Sequence, residues 1–282
     1  MSGSDQMTRI AILQMTGGID PAANAVTLAR AAEQAAQGGA AMLFTPEMSG
    51  MLDRDRKRAA EKIVPEAEDR VLAAVREAAA RAGLWVALGS LAILREDGRW
   101  ANRSFLIDPG GTIAARYDKI HMFDVALASG ESWRESAAYA PGEQVVTVEQ
   151  TPVGKLGLTI CYDIRFPALF EELGRQSCDV IAIPAAFTVP TGKAHWHLLQ
   201  RARAVEASAY VVAAAQVGKH EDGRRTYGHS LVVDPWGEVL LDMGGEAPGL
   251  GFAEIDLDRI ADIRAQLPSL ANRRAIPRFS ER

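Results

Sequence analysis

Short apolar runs alternate with helix-length amphipathic stretches along this chain. Ile10–Met15 (IAILQM) reads as a buried strand. Asp20 and Pro21 follow as a helix N-cap and a first-turn proline, with the helix running to Gly38 and Gly39. Ala41–Thr45 (AMLFT) is a second apolar strand, and Glu47 stands just past its end. A helix begins near Pro65 and stops at Gly83, after which Leu84–Leu88 returns as a strand. Strand, helix and strand at these lengths predict α/β layering.

The second half repeats the pattern. Lys155–Ile160 reads as a strand ending at Cys161, followed by a helix over Pro167–Arg175. Asp179–Ile183 is a strand, Ala194–Ser208 a helix and Tyr210–Gln216 another strand. Ala253–Asp256 and Asp258–Gln266 supply a last short strand and helix, and the basic tail from Asn272 shows no periodicity. Ser104–Ile113 (SFLIDPGGTI) and Ser230–Val239 (SLVVDPWGEV) each join two apolar runs through a D-P-x-G turn, a hairpin signal. Their likeness suggests two similar halves packed face to face, although tight-turn chemistry alone also produces it. No polar linker divides the chain, so one domain is expected.

Composition narrows the class. With 48% hydrophobic and 24% charged residues, the 282-residue chain matches a soluble globular protein. A formal charge of −5 gives no electrostatic reason to expect nucleic acid or an anionic membrane as partner. The apolar stretch Ala209–Gln216 is too short to span a bilayer. Cys161 and Cys178 are the only cysteines, which is no disulfide framework. With no secretory-type N-terminus either, a reducing, cytoplasmic location is expected.

Four side chains are candidates for chemistry. Cys161, in GLTICYDIRFP, sits at a strand-to-helix junction, where α/β proteins place their sites. A following helix N-terminus would favour a thiolate there and offer N–H groups to an oxyanion; a buried packing cysteine is the alternative. Glu47, in LFTPEM, would have its pKa raised by partial burial and so suit proton transfer; otherwise it is a loop glutamate. Lys119, in RYDKIHMFD, could stabilise negative charge developing on a carbonyl, and Glu135 is a polar loop residue by default. Cys178 reads as a core or helix-end residue.

Other chemistries find less support. His195 and His197 are two apart and share no helix face, and no strong zinc spacing is present, so no metal site is expected. No phosphate-binding glycine motif follows a strand.

Taken together, FTPEM around Glu47, YDKIHMFD around Lys119 and GLTICYDIRFP around Cys161 resemble, in order, the signature segments of the nitrilase superfamily of carbon–nitrogen hydrolases. The resemblance covers nearly the whole chain. It implies an α/β fold, a four-layer α-β-β-α sandwich, with a hydrolase domain over residues 8–256 and a C-terminal helix and tail over 257–282. It implies a Glu47-Lys119-Cys161 triad, with Glu135 positioning the lysine and substrate. The reaction implied is hydrolysis of a small amide through a Cys thioester, without cofactor, in a homodimer or larger homo-oligomer. The backbone N–H of Tyr162 would join Lys119 at the oxyanion. Arg165 is a candidate anion contact, the alternative being an ion pair with Asp163 or Glu171.

Within the family, GKAHWHLLQRARAVE, VVAAAQVGKH and YGHSLVVDPWG are similar to the branch that hydrolyses deaminated glutathione. The ω-amidase branch, acting on 2-oxoglutaramate, shares part of this run and is the alternative. A non-catalytic binding protein on the same fold is the alternative from another class. Ala168 departs from the glutamate that many relatives carry after RFP, which bears on the substrate more than on the reaction.

Overall fold

The computed structural model describes residues 7–277, apart from 127, 129 and 131. The chain first lays down β1 (Met7–Gln14), α1 (Pro21–Gln37), β2 (Met42–Phe44), the short α2 (Arg56–Ala60) and α3 (Arg70–Ala82). Then come β3 (Trp85–Leu94), β4 (Trp100–Ile107) and β5 (Ile113–Asp118). A small hairpin, β6 (Asp124–Ala126) with β7 (Ser132–Arg134), leads to β8 (Val146–Thr151), β9 (Gly154–Leu158), α4 (Pro167–Arg175), β10 (Val180–Ala182), α5 (Val189–Ala207) and β11 (Tyr210–Ala213). A second hairpin, β12 (Val217–Lys219) with β13 (Arg225–Tyr227), precedes β14 (Leu231–Val233), β15 (Val239–Asp242), β16 (Gly249–Asp256) and α6 (Leu257–Gln266).

The main strands form two six-stranded sheets built on one plan. The first has the order β16-β1-β2-β3-β4-β5 and the second β15-β14-β11-β10-β9-β8. Each has a parallel trio, β1-β2-β3 or β9-β10-β11, flanked by antiparallel strands. The two D-P-x-G segments form the β4–β5 and β14–β15 hairpins, each pairing with the third strand of its trio. The repeat in the sequence is therefore a repeat in the fold.

Strand periodicity sets the layers. Ile10, Ile12, Met42, Phe44 and Leu106 turn toward the second sheet and join its Leu156, Leu158 and Val180 in one core. Their neighbours Ala11, Leu13, Leu43, Val86 and Phe105 pack instead under α1 and α3, against Leu28, Ala32 and Val75. Beyond the second sheet lie α4 and α5, through Phe170, Leu173, Trp196 and Ala204. Helices thus cover both outer faces, which is why the central strands are apolar on both sides. The result is the four-layer α-β-β-α sandwich.

Local chemistry fixes the helix ends. The Asp20 carboxylate accepts the Ala22 N–H at 3.0 Å, and Asp69 accepts that of Leu72 at 2.8 Å. Gly83 closes α3 in the left-handed region at φ 61°. Two helix starts differ from the sequence reading, and two strands are longer than expected, β3 running on to Leu94 and β16 opening at Gly249. The helix expected from Pro65 opens as a 3₁₀ turn over Glu66–Glu68, because Asp69 supplies the effective cap. The next, α5, starts at Val189 rather than Ala194, since Pro190 fits its first turn. Cys161–Arg165 forms a 3₁₀ turn, with α4 starting at Pro167. Among the described residues, no helix is long and apolar enough to cross a membrane.

Candidate active site

Loops at the ends of β2, β5 and β9 bring three of the expected residues together. Glu47 is carried on a loop stitched to β3: Thr45 N–H donates to Ala87 O, Ser49 N–H to Ser90 O, and Met48 N–H to the Ser90 hydroxyl. That close approach requires Gly89, where a Cβ would collide with the carbonyl oxygens of Thr45 and Pro46. Lys119 follows β5 directly, its N–H held by Asn102 O at 2.9 Å. Cys161 follows β9 with a left-handed backbone, φ 48°, its N–H donating to Pro184 O at 2.8 Å. Such a conformation is costly for a non-glycine residue and lifts its side chain out of the strand plane.

Glu47, Lys119 and Cys161 are 5%, 2% and 7% exposed. Lys119 Nζ donates to Glu47 Oε1 at 2.9 Å and to Glu135 Oε1 and Oε2 at 3.1 and 2.9 Å. Asn102, fully buried on β4, bridges the two carboxylates, its Nδ2 donating to Glu47 Oε1 at 2.9 Å and Glu135 Oε1 at 3.0 Å. The Ala186 N–H donates to Glu47 Oε2 at 2.9 Å. Gln216 Nε2 holds the Glu47 carbonyl oxygen at 3.0 Å.

These contacts reverse two sequence expectations. Burial pushes the Glu47 carboxyl up, but the Lys119 ammonium, with hydrogen bonds from Lys119, Cys161 and Asn102, outweighs it and holds the pKa below the usual range. Burial and the neighbouring Glu47 charge push the Cys161 thiol well above its ordinary value, overcoming Lys119. Instead of a helix N-terminus favouring a thiolate, one short 3₁₀ turn follows the cysteine, beside a carboxylate. Burial alone would lower Lys119, yet Glu135 and Glu47 hold it well above the ordinary lysine value. The resting constellation is a carboxylate base, an ammonium and a neutral thiol.

Asp163 locks the lysine and cysteine loops together. Fully buried, it accepts from Tyr117 Oη at 2.6 Å, His121 Nδ1 at 2.8 Å, and the N–H groups of His121 and Ile160 at 3.0 and 2.9 Å. The His121 ring stacks on Phe166, with centroids 3.6 Å apart.

Glu47, Lys119, Glu135, Cys161 and Tyr162 all line one cavity of about 1100 Å³. Among the described residues, the Tyr162 backbone N–H has no acceptor within the chain. Arg165 is not in the cavity lining; its guanidinium lies 3.3 Å from His195 Nδ1 and over the Phe187 ring. Neither Asp163 nor Glu171 pairs with it, because Asp163 is taken by Tyr117 and His121, while Glu171 pairs with Arg175. Outside the cavity, His197 Nε2 and His229 Nδ1 each meet Asp242 at 2.9 Å, one group of the kind that can hold a metal ion. His195 takes no part in it. Cys178 is fully buried, with its thiol pushed up to about 12, chiefly by burial.

Asn102, Ala186 and Asp163 escaped the sequence reading. Asn102 opens a polar run with Arg103 and Ser104 inside β4, and nothing in that run singles it out.

Several known proteins resemble this chain in sequence and fold. A family model described as carbon-nitrogen hydrolase matches residues 9–265. A deaminated glutathione amidase from Synechocystis sp. is 48% identical over 179 residues, covering 63% of this chain and 65% of the relative's length. Its counterpart from Bos taurus is 37% identical over 277 residues, covering 97% of this chain and 84% of the relative. Among solved structures, the C. elegans NitFhit protein superposes with a TM-score of 0.87 at 34% identity, over 95% of this chain and 65% of that one. An amidase from Nesterenkonia sp. AN1, solved with acrylamide added to its active-site cysteine, gives 0.77 at 28% identity, over 93% of this chain and 98% of that one.

Proposed function

This chain belongs to the carbon–nitrogen hydrolase family, and from that premise we propose that it is an amidase with Cys161 as nucleophile. One observation carries the reading: the Cys161 side chain, lifted on its left-handed turn, sits against the buried Glu47–Lys119 pair at the wall of a large cavity.

Glu47 removes the thiol proton as sulfur attacks the amide carbon. Its depressed pKa keeps it a carboxylate at neutral pH, ready to accept that proton. Negative charge moves to the carbonyl oxygen. One Lys119 proton goes to Glu47 and a second is shared by the Glu135 oxygens, leaving the third for the oxyanion. The unpaired Tyr162 N–H is the other donor. Glu47 then returns its proton to the leaving nitrogen, ammonia or an amine departs, and a thioester remains on Cys161. Glu47 deprotonates a water, whose attack on the thioester releases the acid and restores the thiol. Asn102 and Glu135 hold the lysine and base in register throughout.

The substrate proposed is deaminated glutathione, supported by the names of the relatives and by a cavity roomy enough for an elongated amide. A panel containing deaminated glutathione, 2-oxoglutaramate, aliphatic amides, nitriles and N-carbamoyl amino acids tests it, read by release of the dipeptide amine for deaminated glutathione and by ammonia release for the others. Preference for 2-oxoglutaramate reassigns the chain to ω-amidase chemistry. Turnover of none of them favours a silent binding protein on this fold.

The reading extends to a homo-oligomer in the cytoplasm. Two free thiols suit a reducing compartment. Leu198 and Val205, two turns apart on α5, are exposed, and Trp236 and Leu240 are exposed in the adjoining β14–β15 hairpin. Such apolar surface suits a second copy of the chain. Sedimentation equilibrium tests this; a monomer at micromolar concentration contradicts it.

A further inference from the structure

The cavity is basic in an acidic protein. Among the described residues, seven lysine or arginine and four aspartate or glutamate side chains line it, while the whole chain carries a formal charge of −5. Three of the four acids are already matched: Glu47 and Glu135 by Lys119, and Asp53 by Arg58. The fourth, Asp55, caps α2.

The surplus gathers at one stretch of wall built from three separate segments. Arg54 comes from the loop after β2, Trp133 from β7, and Arg224 from the β12–β13 turn. The two guanidinium carbons lie 5.5 and 4.8 Å from the Trp133 ring centroid. Asp222 joins the two arginine segments, accepting the Arg54 backbone N–H at 2.9 Å and Arg224 Nε at 2.6 Å. Its buried carboxylate neutralises Arg224 only. Among the described residues, Arg54 has no acidic partner. The Trp133 indole N–H is buried with no acceptor among them. The Phe123 ring stands between this stretch and the nucleophile loop, 6.4 Å from Trp133 and 5.1 Å from Tyr162.

We propose that Arg54 and Arg224, oriented by Trp133, bind a carboxylate carried by the substrate at the end remote from its scissile amide. This rests on the amidase reading and names the substrate class of that site: elongated amides with an anionic tail. Two planar guanidinium groups offer forked donors to a carboxylate; the Asp222 carboxylate beside them is engaged with Arg224, Asp53 with Arg58, and Asp55 with the α2 N–H groups. The aromatic ring holds both without consuming their N–H groups. A neutral tail would leave this cationic wall unmatched, so the site discriminates by charge as well as length.

The test separates binding from turnover. In the Cys161→Ala protein, calorimetry measures affinity for linear primary amides ending in a carboxylate, across a series of chain lengths, and for the matching methyl esters. At the best length the acid should bind more tightly than its ester. That preference should fall about 10- to 100-fold on adding Arg54→Met, as expected for losing a charge-assisted hydrogen-bond pair. Arg54→Lys, which keeps the charge without the fork, should restore part of it. Arg54 is an exposed side chain with no ion pair among the described residues, so these variants should fold. Absence of acid preference at every length, or a preference unmoved by Arg54→Met, overturns the proposal. Acid preference in a protein that hydrolyses no amide supports this site and counts against the amidase reading.

Discussion

The Asp163 carboxylate accepts the His121 Nδ1–H at 2.8 Å, joining the segment that carries Lys119 to the turn that carries Cys161. The same buried carboxylate receives Tyr117 Oη and two backbone N–H groups. Replacing it with alanine leaves the buried Tyr117 hydroxyl and Ile160 N–H without an acceptor and frees the partly exposed His121. Asp163→Ala should destabilise the fold by about 3–5 kcal/mol, lowering Tm by roughly 10 °C. A differential scanning calorimetry midpoint within a degree of wild type would show that these contacts contribute little.

Asn102 makes a different prediction, because its bonds go to the two carboxylates proposed to act in catalysis. Asn102→Leu keeps the backbone carbonyl that holds Lys119 and removes the amide bridging Glu47 and Glu135. Loss of those charge-assisted bonds should lower kcat by about 10- to 100-fold with a smaller change in KM. Steady-state kinetics checks this, and a change confined to KM would place Asn102 in substrate binding instead.

The directions of the pKa shifts predict how the nucleophile responds to pH. With Cys161 held as a thiol and Glu47 as its base, alkylation by iodoacetamide should be nearly flat between about pH 5 and 8, falling only in acid below the ordinary glutamate range, where Glu47 protonates. A rate rising tenfold per unit toward the free-thiol value near 8.5 contradicts that arrangement.

Stability follows the same groups. Glu47 has a depressed folded pKa, so its contribution is present above roughly pH 4.3 and is lost as pH falls through the folded value. Cys161 and Lys119 have raised folded values. Their contributions are full below about 8.5 and 10.4, and are lost as pH rises through the folded values. Urea midpoints should therefore peak between about pH 5 and 8 and decline on both sides. A midpoint still climbing above pH 9 has the wrong sign.

Gly89→Ala isolates the close approach of the Glu47 loop to β3. The added methyl meets the Thr45 and Pro46 carbonyl oxygens, which are backbone and cannot swing away. Both Tm and kcat should fall, kcat by at least about tenfold, since a displacement near 1 Å at a catalytic group costs on the order of 100-fold. Wild-type turnover in this variant would mean the loop has room to shift.

The layers and the principal site were legible because each depends on local pattern. Strand runs such as Ile10–Met15 and caps such as Asp20 and Gly83 follow from neighbouring residues, and Glu47, Lys119 and Cys161 stand at strand ends within their own short segments. What the sequence hid is set by residues far away along the chain. The Glu47 pKa is governed by Lys119, 72 positions on, so burial alone gave the wrong direction. Arg165, three residues past Tyr162, is close to the nucleophile in sequence, but the 3₁₀ turn carries it to His195 and Phe187. Arg54, Trp133 and Arg224 meet only because two hairpins and a loop converge on one cavity.

Mass spectrometry of the acid-quenched enzyme tests the central claim most directly. During turnover of a reactive amide, the peptide containing Cys161 should gain the mass of the acyl group, and the one containing the buried Cys178 should not. The Cys161→Ala protein should show neither adduct nor ammonia release. Continued turnover by Cys161→Ala, or an acyl group found on another residue, would contradict the account.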